Sequence, residues 1–294
     1  MMAMPSWPAL ISQAFNGLAL GALLALVSSG LTIILGTLGV LNFAHGALFA
    51  VGAYAAVVML QYTQSFVLAL VVGCGFMLVL GFLLERLIIR LFYNRPHEDQ
   101  ILVTYGIGIV LVECVRAIFG GNAQRVPTPS WGQGATQLGF LIYPTYRLQL
   151  IAIIAMLLLS LYLVLYRTSM GLVVRAGIEN PGMVGILGIN LRRTFLLVFA
   201  IGVVAVGLAG MLYAPVVAVT PDMGANFMAQ SFVVIVLGGL GSFPGAVVGG
   251  LIAGEIISLT SAFNSSYSEV MLYALMALLL VLRPQGLFGS EGRA

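Results

Sequence analysis

Asn42-Phe43-Ala44-His45-Gly46 sets two polar side chains inside a stretch, 1–84, that contains no Asp, Glu, Lys or Arg. A polar group turned to lipid costs on the order of several kcal/mol unless it is paired, so Asn42 and His45 must face protein or a water-filled cavity. Two readings fit. In one, the Asn caps a helix and the His bonds a backbone carbonyl where a broken helix restarts. In the other, the segment, with Phe43 and Gly46, lines a pathway and bends as it opens. Glu255 is the one charge between Asp222 and Glu269; an intramembrane carboxylate is a functional candidate, and its structural alternative is a partner for another helix. Glu113 and Arg116, three apart, pair on one helix face, and Glu85-Arg86 reads as a helix end at the membrane interface.

Enzyme chemistry finds little purchase. The 12 basic residues are all arginine, so no lysine exists for a Walker A loop, a kinase strand or a Schiff base. There is no His-Glu-x-x-His, no Gly-x-Ser-x-Gly and no metal-ligand spacing. Ser28-Ser29-Gly30 with His45 would make an intramembrane serine dyad, but both are more simply helix-packing and pore residues. Cys74 and Cys114 lie in apolar runs and read as small buried hydrophobes. The arginines sit beside apolar segments rather than in one patch, which argues against nucleic acid.

The elements that position these residues are membrane helices. Charged residues make up 7% and hydrophobic residues 61% of 294, and mean hydropathy is +1.11. A soluble chain carries about 25% charged residues to cover its surface. With about 20 apolar residues per crossing, the pattern predicts helices at about 9–35, 43–60, 65–91, 99–119, 148–167, 194–214, 226–241, 245–263 and 268–283. The count of nine becomes eight or ten depending on how 30–60 divides. This is an all-α polytopic membrane protein, a single domain over 1–294, in the lipid bilayer. Alternating crossings gather nine arginines (86, 90, 95, 167, 175, 192, 193, 283 and 293) on one face, which the positive-inside rule makes cytoplasmic. The N-terminus is then outside, the C-terminus inside, and 120–147 is a long external loop rich in Gly, Pro, Gln and Thr.

Thirty-six glycines serve mainly close helix packing. Two runs, Leu-Gly-Thr-Leu-Gly at 35–39 and Leu-Gly-Gly-Leu-Gly at 237–241, form a weak repeat, and glycine-broken helices at matching positions point to a substrate pathway. Gly238, Gly239, Gly241 and Ser242 join the pathway candidates on that ground. The cytoplasmic loop of about 168–191 carries Leu172, Val173, Met183, Val184, Ile186, Leu187 and Ile189 among Arg175, Glu179 and Asn190. So much apolar surface on the wet side needs a cover, either lipid under an interfacial helix or a soluble partner.

These residues resemble a known family, the membrane-spanning permeases of ABC importers for branched-chain amino acids, the LivH type. The carrying segments are LGTLGVLNFAHGALFAVGAY (35–54), Glu85-Arg86, RAGIENPGMVGILGIN (175–190), LAGML (208–212), VLGGLGSFPGAVVGG (236–250) with Glu255, and RPQGLFG (283–289). The likeness runs from about 15 to 289; Pro181-Gly182 departs from the family's continuous helix-forming run. It implies a permease subunit of the bacterial inner membrane that binds no cofactor itself. Its partners would be a homologous second permease (LivM type), two cytoplasmic ATPases that use ATP, and a periplasmic solute-binding protein. Relatives carry leucine-like and other neutral amino acids, urea, amides and aromatic acids. The resemblance makes 168–191 a coupling helix that docks in an ATPase groove through Val184, Leu187 and Ile189, with Gly188 and Asn190 alongside and Arg175 and Glu179 at the rim. The competing classes are an ion-coupled secondary transporter or channel, which usually needs more intramembrane charge, and a structural membrane scaffold.

Overall fold

Apolar runs that cannot leave backbone groups unpaired in lipid must close their hydrogen bonds within the segment, so they fold as helices. The computed structural model describes residues 6–93, 95–139, 141–179 and 181–289. Its apolar helices are α1 (Trp7–Leu38), α2 (His45–Thr63), α3 (Phe66–Leu87), α4 (His97–Phe119), α5 (Thr145–Arg167), α8 (Leu191–Tyr213), α9 (Met223–Gly238), α10 (Phe243–Phe263) and α11 (Ser268–Leu282). Two shorter helices, α6 (Ser169–Glu179) and α7 (Pro181–Ile186), connect α5 to α8. Eight segments are long and apolar enough to cross a membrane, while α9 has only 16 residues. At 1.5 Å per residue, α9 spans about 24 Å, short of the roughly 30 Å hydrocarbon core.

The region 30–60 divides into two helices. Gly39, at φ 64°, ends α1 with its N–H donating to the Leu35 carbonyl at 3.0 Å, the left-handed stop that glycine makes without a Cβ penalty. Residues 39–44 then turn back, and α2 starts inside the bundle. The 120–147 loop is more ordered than its turn-rich composition suggested. It folds into an antiparallel hairpin of β1 (Ala135–Leu138) and β2 (Leu141–Pro144). Gln124 and Val219 exchange backbone bonds of 2.8 Å, and the Tyr143 hydroxyl donates to Asn16 Oδ1 at 2.9 Å. Long-range pairing of this kind leaves no periodic trace in a short loop.

The core is built on α1, α2 and α8, which are buried on most sides, whereas α3, α4, α5 and α11 turn apolar faces outward. Leu23, Leu24, Phe49, Tyr54 and Phe199 are fully enclosed. Leu102, Leu159 and Val281 are exposed, as lipid-facing residues should be. Small residues set the close approaches: a Cβ on Gly52 would overlap the Gly207 backbone, and one on Gly46 the Gly224 carbonyl.

Candidate functional site

The motif at 42–46 sits where α2 begins, and its polar groups do the work of the missing turn of helix. Asn42 Oδ1 accepts the Ala44 N–H at 3.1 Å, and the Asn42 carbonyl accepts the His45 N–H at 3.2 Å. From α4, the Thr104 hydroxyl oxygen accepts the Phe43 N–H at 3.1 Å and lies 3.1 Å from the Leu41 carbonyl. His45 Nε2 is 3.0 Å from the Val27 carbonyl; a carbonyl only accepts, so Nε2 carries the proton. Val27 lies 11 residues, about 17 Å, before the end of α1, which puts the start of α2 well inside the bundle. His45 and Asn42 are buried at 0% and 1% exposure. Their bonds brace the start of α2, while Asn42 Nδ2 and His45 Nδ1 are buried without a hydrogen-bond partner among the described residues. Ser28 Oγ points instead to the Ser231 carbonyl, and no Ser–His hydrogen bond forms among the described residues.

Phe43 and Gly46 do reach open space. With Ala47 and Met228 they floor a cleft of about 420 Å³ between the start of α2, α4 and α9. At its rim Arg116 Nη2 lies 2.7 and 2.9 Å from the two Asp222 carboxylate oxygens, and Nη1 bonds Glu113. The Glu113–Arg116 pair is as expected; Asp222, which precedes α9, was not singled out.

The two glycine runs come together at the other end of the bundle, where a Cβ on Gly36 would stand 3.4 Å from Gly241. Gly239 and Gly241 take φ of 99° and 80°, and Ser242 Oγ accepts the Gly245 N–H at 3.2 Å, capping α10. Gly238 packs on Gly245. The tail at 283–289 has its function here: the N–H groups of Leu287 and Phe288 donate to the Leu237 and Gly238 carbonyls at 2.9 and 3.0 Å. It thereby satisfies carbonyls that the end of α9 leaves unpaired. Gly238 ends α9, Gly239 and Gly241 form the turn, Ser242 caps α10, and Gly241 borders a cavity. That cavity, about 230 Å³, is lined also by Thr32, Gly36, Tyr166 and Arg175. Glu255 stands apart, half-buried against Gly17 of α1, with no ion pair among the described residues.

The segment that connects α5 to α8 is helical over α6 and α7. Arg175 donates to the Leu165 carbonyl and lies 5.5 Å from the Tyr166 ring centroid, and its side chain is exposed. Val184 is 4% exposed; it packs inward, a correction to the docking reading of its side chain. Ile186 and Leu187 are 81% and 74% exposed, and Ile189 is 37% exposed. Gly188 takes φ 75°, and Asn190 caps α8 by accepting the Arg193 N–H at 3.3 Å. The Glu179 side chain lies outside the described residues.

Glu85 does not pair with Arg86. Its buried carboxylate accepts from Arg90 at 2.8 and 3.3 Å and from the Tyr93 hydroxyl at 2.8 Å. Burial, then the neighbouring carboxylate, raises the Tyr93 phenol above its ordinary pKa, so it donates as a neutral hydroxyl. Thr104 and Tyr93 carried no sequence signal, since each acts on a partner brought close by a chain reversal.

A family model described as branched-chain amino acid transport system / permease component matches residues 13–280. The high-affinity branched-chain amino acid transport system permease protein LivH of Salmonella typhimurium is 32% identical over 95% of each chain. BraD of Pseudomonas aeruginosa, a permease protein of the same kind of system, is 28% identical over 95% of each. The corresponding LivM protein of Escherichia coli is 28% identical over 96% of this chain and 72% of its own length. No solved structure matches the chain.

Proposed function

This chain belongs to the branched-chain amino acid transport permease family, and on that premise we propose that it passes branched-chain or other neutral amino acids inward through an ATP-driven importer. It is a transport subunit, not an enzyme. In this reading it pairs with a homologous second permease, of which the LivM likeness is the support. Two cytoplasmic ATPases and an external binding protein complete the assembly. ATP is hydrolysed on the partner, since a chain without lysine has no Walker A loop.

The observation that carries the proposal is the joint between the cytoplasmic helices and the glycine turns. Arg175 of α6 shares a cavity with Gly36 of α1 and with Gly241 before α10, so a push on α6 and α7 acts directly on the ends of α1 and α10. The surface available to a pushing partner is Ile186 and Leu187, apolar and exposed. Burying each is worth roughly 1.5–3 kcal/mol. In the reconstituted importer, Ile186→Ala with Leu187→Ala should cut substrate-stimulated ATP hydrolysis and loosen ATPase retention on purification. Unchanged stimulation and retention would mean that this surface lies on lipid.

The orientation proposed from the arginines, N-terminus outside, has its own test. In a Cys74→Ser, Cys114→Ser background, Ser6→Cys should react with an impermeant thiol reagent in intact cells and Leu187→Cys should not. The opposite labelling pattern would invert the topology.

A further inference from the structure

The charged rim of the outward cleft has no packing task that explains it. Arg116 on the last turn of α4 reaches Asp222 at the start of α9, yet α4 and α9 make almost no other contact. The bridge spans an opening. Below it the cleft is apolar, with Ile109, Val112, Ala47 and Met228 on its walls. Its volume, about 420 Å³, lies within the roughly 300–1,000 Å³ of small-molecule sites. The floor is Phe43 and Gly46, the motif where α2 breaks. The three charges are solvent-exposed at the rim, 39% for Arg116, 56% for Glu113 and 70% for Asp222, and they border the cleft from the end of α4 and the residue before α9.

The geometry points to this cleft as a substrate subsite, resting on the amino-acid reading above: Arg116 takes the α-carboxylate of a zwitterionic amino acid, Asp222 and Glu113 take its ammonium, and the aliphatic side chain lies on the apolar walls. The exchange is electrically neutral. The incoming carboxylate replaces Asp222 on the guanidinium, and the freed Asp222 carboxylate meets the incoming ammonium, so the zwitterion exchanges partners without changing the net charge of the cluster. A simple acid would part Asp222 from the guanidinium and supply no cation in return, and a simple amine would leave Arg116 with Glu113 alone, so the zwitterion is the better match. Opening the bridge also frees α9 from α4 directly above Gly46 and Gly224, where α2 and α9 touch backbone to backbone. Substrate entry and movement of the broken helix thus share one contact.

The experiment uses the complete importer in proteoliposomes with its binding protein and radiolabelled L-leucine. Arg116→Gln should lower the ATP-dependent uptake rate at least tenfold in a complex that still retains its ATPases, while Arg125→Gln, on the external loop away from the cleft, transports as wild type. Ile109→Trp, at a half-exposed position, fills the cleft without removing a charge and should slow uptake as well. The charge exchange Arg116→Asp with Asp222→Arg keeps a latch but reverses the subsite, so uptake should stay low. Full recovery in the exchanged variant, or wild-type uptake by both Arg116→Gln and Ile109→Trp, would reduce the cluster to a latch and overturn the assignment. If the wild-type importer moves no neutral amino acid, the functional reading fails and this one falls with it. Wild-type leucine uptake with insensitive variants removes the cleft assignment alone.

Discussion

Gly254→Leu is expected to prevent the bundle from assembling. Helix α10 lies along α1 in the most extensive helix pair of the fold, and the pair is seated on glycine. A Cβ on Gly254 would overlap the Gly21 backbone and the Gly17 carbonyl; one on Gly250 would stand 2.5 Å from the Ala25 nitrogen. Both sides of the contact are main chain, so no rotamer change relieves it. Overpacking a core costs about 1–3 kcal/mol when side chains can yield, and this site has none to move, so the loss should exceed that range. The measurement is thermal melting and monodisperse yield in detergent. Gly75→Leu supplies the control: an added Cβ there meets nothing within 4 Å, and leucine improves helix propensity. A Gly254→Leu protein that melts like wild type would show that the seam is not set by backbone approach.

Glu85→Ala should destabilise the fold strongly, because it removes a buried charge from its partners. The carboxylate is at 0% exposure with an Arg90 that is 31% exposed, and it fastens the end of α3 to the turn at 89–93 through Tyr93 as well. Removing one partner of a buried pair costs about 3–5 kcal/mol; because Arg90 can still reach water, the lower part of that range applies. Melting should drop by several degrees, and Glu85→Gln, which can still accept from Tyr93, should fall between the two. If Glu85→Ala and wild type melt together, the pair contributes nothing net.

Much of the architecture was legible because membrane insertion is governed by local composition. Charge-free runs of about 20 residues become helices whatever they pack against, so nine apolar helices, the long α5–α8 connection and a broken segment near residues 39–46 could be read directly. The bracing function of Asn42 and His45 was one of two readings on the page, and a sequence contains nothing to choose between them. The bonds that brace the motif are made with Val27 and Thr104, which lie far along the chain. Val184 is a like case: its amphipathic setting suggested a partner's surface, whereas it is buried at 4% exposure within its own chain.

The sequence by itself determined which segments form apolar helices, which chemistry is absent for want of lysine, and which family the motifs resemble. Only the tertiary structure decided that the 283–289 tail closes the end of α9, that Glu85 pairs with Arg90 rather than its neighbour Arg86, and that Arg116 reaches across 106 positions to Asp222. The physical reason is one of range. Hydropathy and helix hydrogen bonding act between residues within a few positions of each other, and they can be summed along the chain. Ion pairs, caps on helix ends and glycine seams depend on which helices lie side by side, and that is set by the packing of all of them at once.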